Sequence, residues 1–194
     1  MREKLPELAL EAASVVFAVL LALAVDEWRE NRSRRELAER ARIAILQEVR
    51  ANRAELTETR RDHVALMARL GTRTRQPGSD SSVALEVNFS ISLLTSAAWQ
   101  TAQVTQAVHL LDYDWTSRVA RLYELQALYN ETQRRLADRI TDLGDLAGSD
   151  PQPQRIIELV RTPLQVVIRL EDALIGEYSA LLRGGGSAGR AGPR

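Results

Sequence analysis

The sequence predicts an all-α protein in which an N-terminal transmembrane helix continues into an antiparallel helical bundle. Three observations carry this expectation. An unbroken apolar run occupies residues 12–25. Long stretches free of glycine and proline follow it, with apolar residues spaced by three and four. Short clusters of proline, glycine and serine separate these stretches, as in helices joined to antiparallel neighbours. The expected division is an N-terminal flank at 1–7, the membrane helix at 8–28, a helical soluble domain at 29–182 and a disordered tail at 183–194. Loops are expected at 71–82 and 145–153, and a break near 112–114.

Composition narrows the classes of function. The 26 basic and 26 acidic side chains cancel, which argues against a nucleic-acid partner, because phosphate recognition needs a basic surface that displaces counterions. Nearly all the positive charge is arginine, with Lys4 the single lysine, and the arginines alternate with acids. There is no cysteine. That excludes disulfides, thiol nucleophiles and thiolate-held metal clusters, and leaves the compartment open.

The run at 12–25 is about 21 Å long as a helix, short of a hydrocarbon core of roughly 30 Å. Starting it at Leu8 lengthens it to about 27 Å and places Glu11 within it. A carboxylate one turn from the end reaches the interface or is neutralised, so a spanning helix is the expected form. Trp28 stands where an interfacial aromatic belongs. Two other readings remain open: a signal peptide cleaved near Ala22-Leu23-Ala24, and a buried core helix. On a helical wheel Glu11, Ser14, Ala18 and Ala22 fall within roughly 80° of one another. Small side chains on that face admit a second helix and an intramembrane carboxylate seeks a partner, so self-association or pairing with a membrane protein is expected there. The partners expected are therefore the lipid bilayer and a second helix.

These residues resemble a group of uncharacterised bacterial single-pass membrane proteins. Their pattern is a Gly-Glu pair, an aliphatic run, a Leu-Ala or Ile-Ala step, then an acid or amide followed by Trp and a charged helix. Glu11, Leu23-Ala24 and Glu27-Trp28 match it, while the glycine before the glutamate is Leu10 here. A second similarity covers residues 97–129, with tryptophan, small and hydroxyl residues and a Leu-x-x-x-Tyr helix start. The resemblance implies a bacterial inner-membrane anchor with the domain on the periplasmic side, and no activity. The basic residues after the run (Arg29, Arg32, Arg34, Arg35, Arg40) outnumber Arg2 and Lys4 before it. By the positive-inside rule that favours the cytoplasm, so the side stays open.

Beyond the anchor, residues 36–70 predict a helix with a seam at Ile45, Val49, Asn52, Leu56, Thr59, His63, Leu66 and Leu70. The apolar ends and polar middle fit packing within a domain better than a pure coiled coil. Gly71 is expected to close this helix. Residues 83–94 predict a short helix or irregular segment. A helix from about Ser96 follows, with Ala97, Thr101, Val104, Val108 and Leu111 on one side. The next, from Trp115, carries a seam at Trp115, Val119, Leu122, Gln126, Tyr129, Gln133, Leu136, Ile140 and Leu143. After Asp150-Pro151, which resembles a cap followed by a first-turn proline, the last helix presents Ile156, Val160, Leu164, Val167, Leu174, Tyr178 and Leu181. Pro163 is expected to kink it or mark a restart.

Catalytic signals are few. His109, Asp112 and Asp114 form H-x-x-D-x-D, but the last lies past the expected turn, and a solvated helix end is the commoner use of such a cluster. His63 beside Glu58 and Asp62 falls short of a site. No phosphate-binding glycine loop, nucleophile elbow or H-E-x-x-H occurs. No catalytic residues, metal or cofactor are therefore expected. Trp99, Tyr113, Trp115, Tyr123 and Tyr129 are the candidate pocket or partner surface, the alternative being that they form the core. The function expected is a membrane-tethered interaction or scaffold module. A ligand- or signal-sensing bundle acting through a membrane partner is the first alternative, and an enzyme of unidentified class the second.

Overall fold

The structure, a computed structural model, describes residues 4–75, 89–146 and 153–185, without the side chains of 4–13, 15, 73–75, 143–146, 153–156 and 185. Every described element is helical: α1 (Lys4–Arg75), α2 (Ala97–Val104), a 3-10 turn (Ala107–Leu110), α3 (Tyr113–Leu146) and α4 (Pro153–Gly185). Among the described residues no helix is long and apolar enough to cross a membrane. With 72 residues, α1 is one helix about 110 Å long. It passes through Gly71, where a C-terminal cap was expected. No described glycine has a positive φ, and Leu70 is buried at that end. Packing therefore holds the last turn where local propensity favours a stop.

Six side-chain contacts establish the directions of the helices. His63 and Arg60 of α1 meet Glu171 and Asp172 of α4, whereas Tyr129 and Gln126 of α3 meet Glu171 and Tyr178. On α1, Glu48 and Asn52 meet Tyr123 and Gln126 of α3. Hence α4 runs antiparallel to both, and α1 and α3 are parallel. The expected wholly antiparallel bundle is corrected on this point. A parallel pair needs a return along the bundle, and the segment 89–96 supplies it as extended chain.

This strap runs antiparallel to α1, with Ser90 beside Asp62 and Thr95 beside Asn52. Five extended residues cover about 17 Å, as far as about ten helical ones. Its side chains alternate, with Ser92 and Leu94 buried, and Ile91 and Leu93 exposed. Direct helix packing joins α4 to both α1 and α3, while the strap's hydrogen bonds bridge α1 and α3.

The expected seams are the core. All eight residues of the α1 seam are buried, as are Trp115, Val119, Leu122, Gln126, Tyr129, Gln133 and Leu136 of α3, with Ile140 packed at the edge. Leu143 and Ile156 lie outside the described side chains. On α4, Val160, Leu164, Val167, Leu174, Tyr178 and Leu181 are buried, and Ile157 joins them. The helix continues through Pro163 without a restart and three residues beyond 182, into the expected tail. Buried Val160 and Leu164 on either side of the proline hold both halves against the same core.

Around α2 the sequence was less informative. Ala97, Thr101 and Val104 are exposed, and burial falls instead on Ala102 and Ala107. The helix ends at Val104, and Gln106, left-handed at φ 58°, rotates the next turn onto a different face. Asp112 then caps α3 two residues earlier than expected, its Oδ1 accepting from the Trp115 amide at 2.8 Å. Residues 71–75 of the loop expected at 71–82 are instead the end of α1, while its remainder, most of the 145–153 loop, the Asp150-Pro151 cap and the end of the tail lie outside the described residues.

Candidate functional site

At mid-height the bundle core turns polar. Asn52, Thr59 and His63 of α1, Ser92 of the strap, Gln126 and Gln133 of α3 and Glu171 of α4 are all buried. Each helical member occupies a seam position, so the same periodicity that buries leucine buries these groups and obliges them to find partners.

Side-chain amides do for the strap what a neighbouring strand does in a sheet. Gln133 accepts from the Ser92 amide and donates to its carbonyl, both at 3.1 Å. Asn52 treats Thr95 the same way, at 3.1 and 2.8 Å, and Gln126 also donates to the Thr95 carbonyl at 2.8 Å. Where the strap is buried, as at Ser92, main-chain groups without these partners would be unsatisfied, at about 1–3 kcal/mol each. Asn52→Leu, of similar volume, is therefore expected to lower stability by about 2 kcal/mol or more, read from urea unfolding. An unchanged midpoint would show that water replaces the amide.

Glu48 organises the end of the strap. Its Oε2 accepts from the Ala98 amide at 3.0 Å and from the Thr95 hydroxyl at 3.1 Å. Ser96, at the N-cap position of α2, makes no side-chain capping bond, so a carboxylate from α1 caps α2 across the bundle. The other oxygen, Oε1, accepts from the Tyr123 hydroxyl at 2.6 Å. Burial first, then the hydrogen bond and charge of Glu48, raise the Tyr123 hydroxyl pKa well above the usual phenol range.

At the centre lie His63 and Glu171, both with fully buried side chains, with Nδ1 to Oε1 at 2.6 Å. His63 Nε2 lies 2.8 Å from the Ser90 carbonyl. A carbonyl only accepts, so Nε2 carries a proton. The short Nδ1–Oε1 contact holds one further proton, on imidazole or carboxyl, and the pair is neutral overall in either case. The Tyr129 hydroxyl donates toward Gln133 at 2.6 Å and Glu171 at 3.1 Å, and lies 2.8 Å from the Ser92 hydroxyl. Burial dominates in raising the Tyr129 hydroxyl pKa, with the Glu171 charge adding to it and the Ser92 bond opposing it. Burial likewise raises that of Tyr178, which donates to Gln126 at 2.7 Å. Phe89 stacks on the His63 ring with centroids 4.5 Å apart.

The five aromatic candidates divide. Trp115, Tyr123 and Tyr129 are buried in the core, and Trp99 stacks on Tyr123 at 5.7 Å. Tyr113 is 82% exposed and separate from them. His109, Asp112 and Asp114 are exposed, and Asp112 is engaged in capping. Among the described residues no group of three metal-ligating side chains occurs. A groove of about 280 Å³ between α1 and α4, lined by Val64, Met67, Arg161, Gln165 and Ile168, includes none of the buried polar residues. Of the anchor face, Ala18 and Ala22 are exposed and Glu11 lies outside the described side chains. Trp28 is exposed, with the Arg32 guanidinium 5.9 Å from its ring centroid.

Sequence reasoning missed Glu48 and Glu171. The signal for Glu171 was present: it stands four residues after Val167 and three before Leu174, at a position the seam requires to be buried. For Glu48 there was none, because its partners lie on the strap, α2 and α3. No protein-family model, curated protein or solved structure matches the chain.

Proposed function

We propose that this protein is a membrane-tethered interaction module of the bacterial inner membrane, in which the N-terminal part of α1 is the tether and the bundle is the working domain. The observation that carries this reading is the surface of residues 16–28. Val16, Phe17, Val19, Leu20, Leu21, Leu23, Val25 and Trp28 are each between 49% and 69% exposed, and no other described element packs against them. Apolar side chains all round a helix call for an apolar surrounding, and an α-helix satisfies its own main-chain bonds within lipid. The sequence extends this surface back through Leu8. A charged stretch held by the i,i+4 ion pairs Arg34–Glu30 and Arg32–Glu36 links it to the bundle.

The test is flotation of full-length protein with bacterial membranes after carbonate washing, combined with phosphatase and fluorescent-protein fusions after Arg194. The expected result is a membrane-borne, uncleaved chain with an active phosphatase fusion, which places the bundle in the periplasm. Release by carbonate would remove the tether. A mature N-terminus following Ala24 would make the segment a signal peptide instead.

A further inference from the structure

We propose that the cleft between α1 and α3 is a binding site for an extended polypeptide, occupied by the chain's own residues 89–96. A partner segment with a small hydroxyl residue followed two positions on by an aliphatic one takes their place. This rests on the interaction-module reading and gives that module the chemistry of its partner. The tether takes no part in it.

Gln133 and Asn52 each grip both the N–H and the C=O of one residue, Ser92 and Thr95. Such paired contacts read main chain, which any non-proline segment offers. Selectivity falls on Ser92 and Leu94, which point inward, and is supplemented by Phe89 on the His63 ring and the Thr95 hydroxyl on Glu48. Ser92 meets the Tyr129 hydroxyl at 2.8 Å, and Leu94 enters the core. Ile91 and Leu93, 53% and 79% exposed, leave their positions free to vary.

The connections permit the exchange. Ser90 sits level with Asp62, roughly 20 Å along the helix from Arg75. Among the described residues the strap is held by the amide clamps, by buried Ser92 and Leu94 and by the Phe89 ring on His63. Downstream, α2 stays fixed by Glu48, and the strap pivots at Ser96. The helices keep their packing through α4, which contacts α1 and α3 directly.

The experiment uses the full chain in detergent and a fluorescently labelled peptide of sequence FSISLLTS. In wild type the resident strap competes at an effective concentration on the order of millimolar. A Leu94→Asp variant, whose own strap is ejected, is expected to bind the peptide at least about tenfold more tightly than wild type. Adding Gln133→Leu abolishes that binding. A folded Leu94→Asp protein that ignores the peptide, or binds it equally well without Gln133, overturns the proposal. Hydrogen exchange on wild type decides independently should the variant not fold. The Ser92 and Thr95 amides are expected to exchange through a local opening well before those of Leu56 and Val167. Exchange of all four together, only on global unfolding, would show that the cleft never opens.

Discussion

Replacing Glu171 by alanine is expected to lower the unfolding free energy by about 3–5 kcal/mol, the usual result of removing one member of a buried, hydrogen-bonded pair. For a chain of this length that is a fall in Tm of roughly 6–20 °C. The loss has two sources. His63 Nδ1 is left without its 2.6 Å partner in a site that has no solvent exposure, and the missing carboxylate leaves a void beneath Tyr129. Glu171→Gln separates them. Its amide fills the same volume and donates to Nδ1, while His63 Nε2 still donates to the Ser90 carbonyl. The glutamine variant is therefore expected to lie within about 1–2 kcal/mol of wild type. Replacing both residues by leucine should cost less than the sum of the single changes, because neither member of the pair is left without the other and only the Ser90 carbonyl loses its donor. Urea unfolding of the four proteins tests this, and a loss under about 1 kcal/mol for Glu171→Ala would mean that the pair contributes little.

Raising the pH past 10 is expected to unfold the protein through its tyrosines. The hydroxyls of Tyr123, Tyr129 and Tyr178 all have pKa values raised by burial above their unfolded value of about 10. A group whose pKa is raised on folding contributes fully below the unfolded pKa. Above it the unfolded chain loses protons that the folded chain retains, so stability falls as pH rises. Each tyrosine contributes a slope of about 1.4 kcal/mol per pH unit, and the three together about 4. Composition makes the assignment clean. There is one lysine, no cysteine, and four tyrosines in all, while arginine holds its proton through this range. Urea midpoints between pH 9 and 11.5 should hold level at first and then drop, with phenolate absorbance appearing as structure is lost. Tyr123→Phe should reduce the slope by about a third. A midpoint that stays level to pH 11.5 would contradict the burial of these hydroxyls.

How much of this was legible beforehand follows from where each signal resides. Seam residues such as Ile45, Leu56, Val119 and Leu174 repeat at helical spacing, and burial follows the spacing whether the residue is leucine or His63. The polar members Asn52, Thr59, His63, Gln126 and Gln133 were already within those seams, so the place of the polar core was visible. Its partners were not. Those on other elements lie 27 to 108 residues apart, as in His63 with Ser90 and with Glu171, and no local pattern encodes such pairing. Helix ends were the least legible, since at Gly71 and Pro163 packing overrides a local preference worth about 1–3 kcal/mol.

By itself the sequence determined that the chain is helical, which faces of the long helices turn inward, and that an apolar run lies at residues 12–25. These follow from side-chain type and a 3.6-residue period, which are properties of single segments. Only the tertiary structure decided that α1 and α3 run parallel, that an extended strap returns between them, and that His63, Glu171 and Tyr129 meet. Glu48 and Glu171 became a helix cap and the centre of the core because their partners come from other elements. Burial turns a polar side chain into an obligation to pair, and which group meets it depends on the path of the whole chain.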